Sequence, residues 1–73
     1  MNFQTMERKY YTFEGCGSPE IQGVTIYQGW LSESDVVVFA IGIATGLRHY
    51  CKGASIKVYE ELGEDWHLVR VQE

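Results

Sequence analysis

Apolar and polar residues alternate with a period of two at both ends of the chain and with a helical period in its middle. Residues 7–14, ERKYYTFE, are rich in β-formers and predict a first strand, with Tyr11 and Phe13 on one face and Tyr10 and Thr12 on the other. Residues 15–23 carry three glycines and a Ser-Pro pair and predict a long loop. Residues 24–30 predict a second strand, with Val24, Ile26 and Trp30 toward the helix and Thr25 and Tyr27 away from it. Residues 55–62 predict a third, with Ile56 and Val58 inward and Ser55, Lys57 and Tyr59 outward. A short glycine-led turn then leads into a fourth strand over residues 66–72. Trp66 and Leu68 share one of its faces, His67, Val69 and Val71 the other. With apolar groups on both, this strand is expected to be central or to meet a partner on its outer face. Residues 1–5 are expected to form a loose start.

Residues 32–53 predict the one helix. Ser32 is placed as N-cap, where its hydroxyl can accept from a backbone N–H left unpaired at a helix start. Asp35 takes the acidic capping-box position, and Leu31 with Val36 matches a hydrophobic staple. Glu33 and Asp35 suit the positive end of the helix dipole; Arg48, His49 and Lys52 suit the negative end, before Gly53 as a left-handed stop. Steps of ~100° put Val36, Phe39, Ala40, Ile43, Ala44, Leu47, Tyr50 and Cys51 on one stripe, expected to face the sheet. Thr45, Arg48, His49 and Lys52 fall opposite, as on a solvated face. Val37, Val38 and Ile41 fall there too, which a solvated face does not need. Either loops of the same chain cover these three, or another molecule does. Gly42 and Gly46 each cost about 1 kcal/mol against alanine in a helix interior; close packing on the sheet is the expected reason for them.

The pattern defines a small two-layer α+β domain, ββαββ, with an antiparallel sheet and one helix packed on one face. At 73 residues the chain is expected to be a single domain over residues 1–73, with a thin margin of buried surface. Hydrophobic residues at 45% and aromatics at 14% exclude a disordered chain. The unbroken apolar run of residues 36–44 is far short of the ~20 needed to cross a bilayer, so no membrane role is expected. No apolar signal-peptide segment opens the chain, and two widely spaced cysteines point to reduced thiols in a cytoplasm.

Composition also narrows the chemistry. The net charge of −4 comes without a basic stripe, which makes nucleic acid an unlikely partner. Cys16, Cys51, His49 and His67 lack the paired short spacings of a zinc site. Cys51 is expected to be a small buried hydrophobe and Cys16 to be exposed. A Cys16–His49 or Cys16–His67 nucleophile pair has no supporting motif. Glu60, Glu61, Glu64 and Asp65 flank a turn as a solvated cluster, and the G-C-G-S run lacks the length and ending of a phosphate loop. No cofactor and no catalytic role is expected.

The aromatics remain. Tyr10, Tyr27 and Tyr59 are expected on the sheet face away from the helix, with Lys57, His67 and Arg70 nearby. Together with Val37, Val38 and Ile41 they form the candidate partner-binding set. The expectation is a small acidic, non-enzymatic binding module that contacts another protein, as an inhibitor or regulator of a host or cellular complex. Compact phage-encoded inhibitors share this architecture. A homodimer or other homo-oligomer through Val37, Val38 and Ile41 is one alternative. A single-strand nucleic-acid binder stacking bases on the tyrosine face is the other.

Overall fold

The computed structural model describes residues 7–73, so the loose start expected for residues 1–5 lies outside them. Four strands and one helix follow in the order β1 (Lys9–Cys16), β2 (Thr25–Leu31), α1 (Glu33–Arg48), β3 (Ser55–Leu62) and β4 (Asp65–Gln72). The strands form one antiparallel sheet of order β2-β1-β3-β4, with α1 across one face. The predicted ββαββ arrangement is therefore the fold. β4 is an edge strand, the opposite of a central one, although its composition is that of a strand covered on both sides.

The helix begins as its residues dictate. Ser32 has extended backbone, and its hydroxyl accepts from the Asp35 N–H at 3.3 Å. Leu31 and Val36 are both buried in one core cluster with Tyr11, Phe13, Ala40, Ala44, Ile56 and Val58, so the staple ties the β2 exit to the first helical turn. The helix ends at Arg48, earlier than its apolar stripe suggests. The N–H groups of Tyr50 and Cys51 both return to the Leu47 carbonyl, and Gly53 then reverses the chain. Tyr50 therefore leaves the stripe and stands 86% exposed, and Cys51 lies half-buried in the turn.

Two bulges reset the alternation. In β2 the register skips Ile26: Phe13 faces Tyr27 and Glu14 faces Thr25. A bulged residue and its neighbour can share a face, and Ile26 and Tyr27 both pack on the helix-side core. Tyr27 thus lies under the helix, its ring 5.4 Å from Phe39 and 5.8 Å from Phe13 between centroids. It lies across Gly29, where a Cβ would come within 2.7 Å of the tyrosine oxygen. Trp30 has the outward place and edges against Tyr10 at 5.3 Å. The expected phase of β2 was the reverse, with Trp30 in and Tyr27 out. In β4 the register skips Val69, because Val58 faces Arg70 and Tyr59 faces Leu68. His67 and Arg70 then share the helix face with Glu60 and Val58, while Leu68 and Val71 join Trp66 on the outer face.

The loop between β1 and β2 is packed rather than free. Ile21 and Ser18 are buried, and the Ser18 hydroxyl donates to Glu20, which holds that carboxyl below its ordinary range. Gly17 lies against the Gly53 backbone, closing the loop on the α1–β3 turn. Cys16, at the end of β1 beneath this contact, is buried and not exposed as expected.

The helix glycines also correct an expectation. Among the described residues a Cβ at Gly42 or Gly46 would meet nothing within 4 Å, so neither makes room for the sheet. Their replacement should stabilise the chain on propensity alone: Gly42→Ala and Gly46→Ala should each add about 1 kcal/mol. Urea unfolding at sub-micromolar concentration checks this. A loss of stability at either site would mean that the methyl meets something within the same chain.

Candidate functional site

The strand register lays the uncovered sheet face out as a grid. One row holds the pairs Trp30–Tyr10 and Glu61–Trp66, one step beyond the Tyr11–Glu60 end of the β1–β3 ladder, and the next runs Gln28, Thr12, Tyr59, Leu68. In the third, Glu14 pairs Lys57 and Lys57 pairs Val71. Tyr10 edges onto Trp30, and Tyr59 tilts against Trp66 at 5.8 Å. Both tryptophans stay open, Trp30 at 65% and Trp66 at 48% exposure, and Leu68 and Val71 are exposed beside them.

A polar chain crosses the middle of this face. Gln28 Nε2 donates to Thr12 Oγ1 at 2.9 Å, and Thr12 Oγ1 donates to Glu61 Oε2 at 2.6 Å. Thr12 is fully covered by its neighbours, whereas Glu61 is half-buried. The Glu61 carboxylate therefore sits between aromatic residues with one oxygen committed to Thr12. An ionised carboxylate has further acceptor sites, so this one can take a donor from outside.

The expected surface set divides three ways. Tyr10 and Tyr59 lie on this face as read. Tyr27 does not; it is under the helix for the reasons given above. Val37, Val38 and Ile41 are exposed on α1, on the opposite side of the molecule. His67 and Arg70, expected beside the tyrosines, are on the helix face, which leaves Lys57 as the basic group of the outer grid. Trp30, Trp66, Leu68 and Val71 also lie on this face, outside the expected set. Trp66 and Leu68 were legible once Tyr59 was placed outward, since cross-strand partners share a face.

On the helix side a shallow depression of about 180 Å³ opens between the start of α1, β1 and β4, lined by Tyr11, Glu33, Val36, Val37, Glu60, Val69 and Arg70. Its size is below the ~300 Å³ at which small-molecule pockets begin. Lys9 bridges its two carboxylates, Nζ lying 3.4 Å from Glu33 and 3.8 Å from Glu60. Glu60 and then Glu33 hold the Lys9 ammonium above its ordinary range, and burial raises the Tyr11 hydroxyl. Arg70 is committed to Gln72 through two hydrogen bonds, at 3.0 and 2.7 Å. The charges here serve one another. Among the described residues no three of His, Cys, Asp and Glu are grouped to hold a metal, and no helix is long and apolar enough to cross a membrane. The chain matches no protein-family model, no curated protein and no solved structure.

Proposed function

We propose that the protein is a non-enzymatic binding module that acts by seating its uncovered sheet face on another protein, as an inhibitor or regulator of that partner. The observation that carries this reading is the open aromatic grid around Glu61. Tryptophan and tyrosine dominate protein-binding hot spots, because each buries ~150–250 Å² at small cost in rotamer freedom. Here both tryptophans are pre-positioned by a tyrosine neighbour, so little order has to be imposed on binding. The ring around Glu61 suits a partner that offers an arginine or lysine amid apolar residues, since aromatic faces also attract a cation. Stacking of single-stranded nucleic acid is less favoured on this face. Its paired groups Glu14 and Lys57 cancel, and Glu61 leaves it acidic.

The test begins with capture from an extract of the cells in which the protein acts, followed by reconstitution with the purified partner. Trp66→Ala and Glu61→Lys should each raise the dissociation constant at least tenfold, the scale of a hot-spot residue. Binding unchanged in both variants would exclude this face. Salt-dependent binding to an oligonucleotide, lost in the same variants, would replace a protein partner by nucleic acid.

A further inference from the structure

Among the described residues nothing covers the outer side of α1. Between Asp35 and Arg48 the helix carries no charged residue. On the side away from the core, Val38 is 67% and Ile41 46% exposed, and they recur with Ser34 and Thr45 at the 3–4 residue spacing of a packing seam. Gly42 and Gly46 border this seam and face open space, so the seam is smooth enough for a second backbone to come close. The two helix ends carry opposite charge: Asp35 in the first turn, where Glu33 is already paired with Lys9, and Arg48 in the last turn with Lys52 just beyond.

We propose that this seam is covered by the same seam of a second copy, with the two helices antiparallel about a two-fold axis near Ile41 and Gly42. The charge distribution selects this occupant. An antiparallel pair sets the acidic end of each helix beside the basic end of the other and opposes the two dipoles, whereas a parallel pair sets like charges together. The arrangement is isologous, so one surface supplies both halves. Val38 of each copy then meets the Thr45–Gly46 region of its partner, and Ile41 lies against Gly42. A helix of 16 residues is about 24 Å long, which places the contact at the small end of specific interfaces. The dimer should accordingly dissociate on dilution through the micromolar range. This pairing is independent of the sheet face, which points the other way.

The experiment is sedimentation equilibrium or light scattering from about 1 µM to about 1 mM, bracketing a micromolar dissociation constant, on the wild type and three variants. Val38→Asp puts a charge in the seam without touching the core. Gly42→Leu improves helix propensity and has room in the single chain, but blocks close approach. Trp66→Ala alters the sheet face. The expected result is a two-copy mass for the wild type and Trp66→Ala, with the dissociation constant raised at least tenfold in both Val38→Asp and Gly42→Leu while circular dichroism shows them folded. A wild type that stays monomeric throughout overturns the proposal. So does a dimer that survives both helix variants, or one lost only in Trp66→Ala. If Val38→Asp fails to fold, Gly42→Leu decides alone.

Discussion

Phe13→Ala should leave the chain largely unfolded at 25 °C. The Phe13 side chain is 0% exposed at the centre of the core, in contact with the rings of Tyr27 and Phe39. Truncating a buried phenylalanine costs about 3–5 kcal/mol, part lost transfer energy and part cavity. A domain of this size seldom has more than ~3–5 kcal/mol in hand, so the substitution removes nearly all of it. Phe39→Ala is the control. It deletes the same atoms from a ring at the margin of the helix stripe that already stands open to water, and should cost well under half as much. Urea titrations followed by circular dichroism measure both. Equal losses would mean that the helix packs with Phe39 inside, contrary to the placement of Ala40 and Ala44.

Gly17→Ala should also be strongly destabilising, although it adds only a methyl group. Gly17 has a φ of 81°, a conformation that L-residues rarely adopt. A Cβ there would fall on the Gly53 carbonyl oxygen, which is backbone and cannot swing aside. Strain of ~1–3 kcal/mol is thus joined by a clash that parts the β1–β2 loop from the α1–β3 turn. Gly23→Ala separates the two effects. Gly23 has a similar φ of 76° but open space around it, so it should show the strain alone. Thermal melts of the pair should place Gly17→Ala clearly below Gly23→Ala. Matching melting temperatures would remove the loop–turn contact from the account.

The elements were legible where one residue had one reading. Ser32, Leu31 and Val36 announced the helix start, and the structure uses each in the role its chemistry suggests. Ile56 and Val58 against Lys57 and Tyr59 fixed the face of β3 without ambiguity. Legibility failed at the bulges. A period of two is read by counting, and one extra residue at Ile26 reverses the count for everything beyond it. Trp30 was therefore set inward and Tyr27 outward. The cue against that phase was Leu31: a staple residue must face the helix, and Tyr27 and Gly29 lie at even spacing from it. The bulge at Val69 had the same effect on Arg70 and Val71. Tyr50 and Cys51 misled differently, because periodicity has no information about where a chain must turn to reach its next strand. Gly42 and Gly46 are not a packing device toward the sheet, and their wheel positions beside Val38 already point them outward.

The candidate surface was only half visible for the same reason. Tyr10 and Tyr59 were found by alternation on unbulged strands. Their tryptophan neighbours come from β2 and β4, the two edge strands that bulge. What makes the face distinctive is the pairing of each tyrosine with a tryptophan from an adjacent strand, and that pairing depends on register rather than composition.

The strand order has a consequence for the chain as it is made. β1 is synthesised first yet lies inside the sheet, between β2 and a strand that begins only at Ser55. At about 5–20 residues per second, seconds of translation separate the end of β1 from the end of β3. During that interval one edge of β1 has no partner, and Tyr11 and Phe13 lack the Ile56 and Val58 floor beside them. The nascent chain therefore exposes the future centre of its sheet until β3 clears the ribosome. Completion of the sheet therefore waits on residues 55–72, however early the helix forms.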